Sequence, residues 1–312
     1  MSNNKKKEIT ILLNVYNAQD YVDTFFKSIK NQSFQDFTIL VIDDGSTDST
    51  VKKIEEYKSD FNLSIYKRFH EGLQKARKFG VDKAQGDILI ILDADLILEK
   101  DAVKELLIPF KNDIVGGVTG FLKNKPRNVI EESYGSLREI FFQLKSKGEE
   151  TDWITGGFCA VKKSVIDQIG GYSSDNSSED LDISWKMKKF GFKLLQNKKA
   201  IAYHRDPTSL KEIWKRDKYT GFREYLLTKT HMKESLKPRR LFRFYPILFP
   251  FIIPILLVLC WPLLLFLFII SYLATLIFIK GSLSCKSVSW IVFNVMNFAY
   301  CTGFILAFFN KK

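Results

Sequence analysis

The sequence predicts an α/β domain, an open and mostly parallel sheet flanked by helices, followed by C-terminal transmembrane helices. Three observations predict it. Short β-branched, apolar segments alternate with amphipathic ones through the first third of the chain. Polar clusters capable of chemistry fall where the predicted strands end, the edge at which open α/β sheets bind ligands. Residues 244–279 and 288–309 are almost purely apolar and carry no acidic side chain.

In chain order, Ile9–Val15, Phe37–Ile42, Ser64–Phe69 and Asp87–Leu92 read as buried parallel strands, being short, apolar and β-branched. The stretches between them, Tyr21–Asn31, Asp48–Lys58 and Gly72–Ala84, read as helices. Strand and helix in turn means βαβ units with right-handed crossovers. In the third helix Ala76, Gly80 and Ala84 recur at a spacing of four, a small-residue face that lets a helix approach a sheet closely.

The organisation expected is an α/β domain over residues 1–205, a basic amphipathic juxtamembrane segment over 206–243 and a membrane region over 244–312. In that last region 288–309 has the length of one crossing. Residues 244–279 are too long for one untilted crossing and carry Pro246, Pro250, Pro254 and Pro262, which suits either a long span or a hairpin broken near Trp261-Pro262. The formal net charge of +12 is uneven. From Arg205 to Arg243 there are twelve Lys and Arg against five Asp and Glu, a net of +7 directly before the apolar region. A cluster so placed suits anionic lipid headgroups and a cytoplasmic position; no recognition motif accompanies it, so nucleic acid is not expected as a partner. Within it, Leu210, Ile213, Trp214, Phe222, Tyr225 and Leu226 can form one apolar helix face that lies on a bilayer or packs on the α/β domain. Met1 to Glu8 is short, polar and lysine-rich, so no signal peptide is expected and the first domain is expected in the cytoplasm. Cys159, Cys260, Cys285 and Cys301 show neither disulfide nor zinc spacing, and reduced thiols are expected.

Three constellations carry candidate chemistry. Asp93-Ala94-Asp95 follows an apolar strand, and two carboxylates one residue apart there can offer hard oxygen ligands to Mg²⁺ or Mn²⁺; a solvated, helix-capping turn is the alternative. Asp43-Asp44-Gly45-Ser46 ends the second strand, where a carboxylate can accept from a base edge or a ribose hydroxyl, while the following Ser, Thr and Asp cap a helix. Gly156-Gly157, Gly170-Gly171 and Glu179-Asp180 precede the amphipathic stretch Leu181–Phe190. An acid at a helix start is held ionised by the helix dipole and able to take a proton, or it serves as a cap.

In that order, Tyr16-Asn17, Asp43-Asp44-Gly45-Ser46, Arg77, Asp93-x-Asp95, Gly156-Gly157, Glu179-Asp180 and His204 resemble the inverting family 2 glycosyltransferases of the GT-A fold, over about Ile9 to Gly221. The stretch Asn297 to Gly303 also resembles the membrane tail of bacterial and archaeal members. The resemblance implies a nucleotide-sugar donor, a divalent cation and a metal-dependent transfer. Tyr16 and Asn17 would lie along the nucleotide, Asp43 or Asp44 would bind base or ribose, and Arg77, Asp93, Gly156 and Gly157 would help hold the donor. Asp95 would be the main metal ligand, with Asp93 and His204 beside it, His204 being equally readable as a structural histidine. Asp180, paired with Glu179, would be the general base, and Arg216 would help offset diphosphate charge. Processive synthases of the family carry Gln-x-x-Arg-Trp; here the corresponding stretch reads Trp214-Lys215-Arg216, which favours one sugar per encounter over a processive polymerase. The basic segment beside apolar helices implies a lipid-linked acceptor or another membrane-associated glycan.

Overall fold

The computed structural model describes residues 7–144, 146–147, 149–173, 178–232, 261–279 and 283–309. The chain divides into two units, one running to Lys123 and from Leu144 to Arg205, the other comprising 124–143 together with the chain from Asp206 onward.

The first unit is built on a ten-stranded sheet among the described residues. Strands β1 (Ile9–Val15), β2 (Thr38–Asp43), β3 (Leu63–Lys67) and β4 (Ile88–Asp93) are parallel neighbours in the order β3-β2-β1-β4. Helices α1 (Gln19–Lys30), α2 (Thr50–Glu55) and α3 (Leu73–Lys83) cross between them. All seven residues of β1 are buried, as a central strand with both faces covered requires. Ala76, Gly80 and Ala84 do form the sheet-facing side of α3: a Cβ at Gly80 would lie 2.6 Å from Leu12 Cδ1 and 2.9 Å from Ile42 Cγ1.

The expectation of a mostly parallel sheet is corrected beyond β4. There the order continues β9 (Phe158–Lys162), β6 (Val115–Asn124), β10 (Lys193–His204), β8 (Glu150–Thr151) and β7 (Ser146–Lys147). The pairings β4 with β9, β9 with β6, and β10 with β8 are all antiparallel. The strand–helix alternation that forces parallel crossovers stops at Asp93, after which strands return by loops and by α4 (Ala102–Leu107) without a regular repeat. A short strand β5 (Leu96–Leu98) pairs antiparallel with the end of β10, placing His204 opposite Leu96. Helices α6 (Lys163–Gln168) and α7 (Glu179–Lys189) complete this unit.

The second unit contains α5 (Val129–Leu144), α8 (Leu210–Thr230), α9 (Trp261–Phe278) and α10 (Leu283–Phe309). Helix α8 buries Ile213, Asp217, Gly221, Glu224 and Leu227, a stripe at three- and four-residue spacing. Of the apolar face expected from the sequence, Ile213 is buried while Leu210 and Trp214 are exposed. The buried stripe follows from a glycine contact. The Cα of Gly221 sits against the carbonyl of Tyr300 and that of Gly303 against the carbonyl of Lys218, so α8 and α10 approach backbone to backbone where a Cβ would collide.

One helix among the described residues is long and apolar enough to cross a membrane by length and composition, with a window over Cys285–Ala307 of mean hydropathy 1.5. Of the expected spans, that over 288–309 is thus a candidate by length and composition. Residues 244–260, half of the expected long span or hairpin, lie outside the described residues, as does Cys260. Pro262 is the second residue of α9, within the first turn, where a missing N–H costs no helix bond. Cys159, Cys285 and Cys301 are free thiols, as expected.

Candidate active site

The polar ends of β1, β2, β4 and β10 and the first turn of α7 carry the expected residues of the first unit, and they fall into three groups. The first is buried. Arg77, on α3 and 1% exposed, donates from Nη2 to Asp93 Oδ1 at 2.8 Å and from Nη1 to Glu179 Oε1 at 2.6 Å. Two carboxylates from the end of β4 and the start of α7 thus share one buried guanidinium. Gly156 and Gly157 line this network because no side chain fits: a Cβ on Gly156 would lie 2.5 Å from Arg77 Nη1, and one on Gly157 would overlap the Asp93 carboxylate. The Asp93 N–H also donates to the Gly157 carbonyl at 2.9 Å. With its guanidinium buried between two acids, Arg77 acts through Asp93 and Glu179, holding their carboxylates in place.

The second group is a pair. Asp95 lies in the turn between β4 and β5, and its Oδ2 is 3.4 Å from His204 Nε2. The β5–β10 register makes this meeting, since it sets His204 beside Leu96, the residue after Asp95. One carboxylate and one imidazole are suitable donors for Mn²⁺ or Mg²⁺, and a cation so held would need further oxygens from a bound diphosphate. Among the described residues no three acid, His or Cys side chains gather as a metal site. Asp93, expected beside Asp95 as a metal residue, gives its Oδ1 to Arg77.

The third group lies at the ends of β1 and β2. Asn17 adopts φ 46°, a left-handed conformation tolerated by asparagine, and its Oδ1 accepts from the Thr47 N–H at 2.8 Å. Its own N–H donates to Ser46 Oγ at 2.9 Å, which ties the two strand-end loops together. Asp43 and Asp44, left as alternatives by the sequence, have different surroundings. Asp43 accepts from the Ser46 N–H at 3.1 Å. Asp44 accepts from the N–H groups of Glu71 and Gly72 at 3.1 and 2.9 Å and lies 2.8 Å from His70 Nδ1, so its carboxylate organises the loop after β3. Tyr16 is exposed and stacks on His70, with ring centroids 4.0 Å apart.

Asp180 occupies the first turn of α7, where the exposed N–H groups favour an ionised carboxylate; its Oδ1 accepts from the Leu181 N–H at 2.9 Å. Glu179 and Asp180 lie inside the helix, which starts two residues earlier than the sequence pattern placed it. Tyr172, in the same unit, is buried, and burial pushes its hydroxyl well above the usual tyrosine range.

Arg216 belongs to the second unit. Its Nη1 is 3.7 Å from Asp206 Oδ1, to which buried Arg138 Nη1 also donates at 3.0 Å, and its guanidinium lies 5.3 Å from the centre of the Tyr134 ring. Next to it, burial pushes the Asp217 carboxyl up to about 7, against the opposing effect of the Arg216 charge and a Tyr134 hydrogen bond.

His70 escaped the sequence reading. The strand-end rule pointed to Ser64–Phe69, but without an acid at its end that loop carried no metal or base chemistry to flag it.

The family model for glycosyl transferase family 2 matches residues 10–170. A poly-beta-1,6-N-acetyl-D-glucosamine synthase from Staphylococcus epidermidis is 27% identical over 214 residues, covering 66% of this chain and 52% of the relative. The chain therefore spans about half the length of the curated relatives it matches. Among solved structures, the mannosyltransferase PcManGT from Pyrobaculum calidifontis, in complex with GDP-Man and Mn²⁺, superposes with a TM-score of 0.67 at 17% identity, covering 99% of this chain and 89% of that one. S. aureus TarS 1–349, in complex with UDP-GlcNAc, gives a TM-score of 0.51 at 15% identity, covering 77% of this chain and 78% of that one. These likenesses show a GT-A-like fold.

Proposed function

Since the chain belongs to glycosyl transferase family 2, we propose that it moves one sugar per encounter from a nucleotide-sugar donor to a membrane-associated, lipid-linked acceptor, with inversion at the anomeric carbon. The observation that carries this reading is the meeting of Asp95 and His204 beside the network in which buried Arg77 holds Asp93 and Glu179. Such an arrangement brings one carboxylate and one imidazole together next to a fixed strand end and helix start.

Asp180 is the general base in this reading. It takes the proton of an acceptor hydroxyl as that oxygen attacks the anomeric carbon from the face opposite the leaving nucleoside diphosphate. Asp95 and His204 would hold a divalent cation, which supplies charge compensation for the departing diphosphate. Asp43 accepts from the base or ribose, and Tyr16 and Asn17 line the nucleotide. The part given to Arg216, a further cation for the diphosphate, rests on sequence order, its recorded partners Asp206 and Tyr134 being in its own unit. Helix α10 is the membrane anchor, and the basic segment before it meets anionic lipid on the cytoplasmic side.

A second reading, processive polysaccharide synthesis, is favoured by the name of the staphylococcal relative. Against it stands the missing Gln-x-x-Arg-Trp sequence.

The test is transfer from labelled UDP-, GDP- and dTDP-sugars to extracted membrane lipids by the full chain in detergent with Mn²⁺. A single lipid product of inverted configuration is expected. Retained configuration, or full turnover by Asp180→Asn, would overturn the mechanism, and a ladder of products from single encounters would favour the processive reading.

A further inference from the structure

The motif Asp43-Asp44-Gly45 does more than end a strand. Asp44 is buried; its carboxylate takes the N–H groups of Glu71 and Gly72, and its Oδ2 and backbone carbonyl lie 2.8 and 3.1 Å from His70 Nδ1. Gly45, at φ 81°, lets the loop come closer still: a Cβ there would lie 2.8 Å from the His70 backbone nitrogen. The motif therefore builds a seat that sets one imidazole in place. That imidazole is not used up by the fold. Its side chain is 53% exposed, and Nε2 has no hydrogen bond among the described residues. It stacks face to face on Tyr16, 18° from parallel, and Tyr16 is 45% exposed. Two half-exposed rings stacked at the carboxyl ends of β1 and β3 form an aromatic pair with a flat outer face. A flat, uncharged π-system is the ligand such a surface favours.

We propose that His70 is a nucleobase-binding residue, forming with Tyr16 the aromatic surface on which the base of the sugar nucleotide stacks. The proposal rests on the sugar-nucleotide reading above and adds a residue to that site. It also reassigns Asp44, whose task becomes holding the His70 ring, and leaves the base or ribose contact to Asp43. Stacking tolerates different bases, so this surface sets affinity, and the edge contacts set which base is chosen.

The test separates the ring from the clamp. Binding of UDP and GDP with Mn²⁺ would be measured by calorimetry on the full chain in detergent, for wild type and for His70→Ala, His70→Phe and His70→Asn, with inorganic pyrophosphate and Mn²⁺ as the base-free control. Phenylalanine keeps the stacking face and loses the bond to Asp44; asparagine keeps a polar partner for Asp44 and loses the ring. Loss of one stacking partner should weaken the bound nucleotide about tenfold in His70→Ala and His70→Asn. His70→Phe should stay close to wild type, and pyrophosphate binding should not change in any variant. Equal nucleotide affinity in wild type and His70→Ala would overturn the proposal. So would rescue by asparagine with failure of phenylalanine, which would leave His70 a loop clamp only. A wild-type protein that binds neither nucleotide would instead overturn the sugar-nucleotide reading itself.

Discussion

Asp93 and Asp95 are separated by one alanine, yet the fold gives them opposite circumstances. Asp93 faces a guanidinium that is 1% exposed and is pressed against Gly157, where no side chain fits. Asp95 is exposed to about the same degree as Asp93, 31% against 35%, but it faces a histidine brought by β10. Alternation along an extended chain turns successive side chains to opposite faces, but residues two apart should share one. The turn after β4 breaks that rule, directing one carboxylate to the scaffold cation Arg77 and the other to His204. A D-x-D sequence therefore need not present both carboxylates to one partner.

The difference can be broken from either side, and the largest effect is expected on the buried side. Arg77→Met leaves the Asp93 and Glu179 carboxylates without their shared cation and should cost about 3–5 kcal/mol of stability, read as a large fall in Tm and loss of the folded protein at moderate temperature. Asp95→Asn should do the reverse. Its Tm should stay near that of wild type while kcat falls about a hundred- to a thousandfold, as when one transition-state contact is lost. Gly157→Ala tests the scaffold without touching a charge. Its new methyl would meet the Asp93 carboxylate, and the overpacking should cost about 1–3 kcal/mol, seen as a lower denaturant midpoint with an unchanged slope.

The smallest effect is expected in the second unit. The Asp217 carboxyl is raised to about 7 by burial, so between its unfolded value of 3.8 and that value the folded state keeps a proton the unfolded state has released. Stability then falls as pH rises through this window and levels off above it. Asp217→Asn should remove that slope and raise Tm at pH 8 relative to wild type. Thermal melts of both proteins across pH 5 to 8, about the interval in which the group titrates, would check it; parallel curves would contradict it.

How much of this was legible in the sequence depends on whether local pattern decided it. The four parallel strands were, because β-branched runs such as Ile88 to Leu92 can only be buried on both faces, and the small residues of α3 showed where that helix meets the sheet. The antiparallel half was not, because β6, β9 and β10 are joined by connections with no regular period. The residue types of the site were visible as strand-end clusters. Their partners were not: Arg77 meets Glu179 across 102 positions, and His204 reaches Asp95 only through the β5–β10 register. Helix α8 shows the same limit. Its apolar residues were read as a face for a bilayer or for the α/β domain, whereas the contact with α10 is decided by Gly221 and Gly303 through what they lack.

The most direct test of the division between the acid that meets Arg77 and the acid that meets His204 is Mn²⁺ binding by electron paramagnetic resonance, with a nucleoside diphosphate present, in wild type and Asp95→Asn. The account predicts bound Mn²⁺ in wild type and at least about a tenfold weaker affinity in the variant, the loss expected when a main ligand or its support is removed. Equal Mn²⁺ affinity in the two proteins would contradict it.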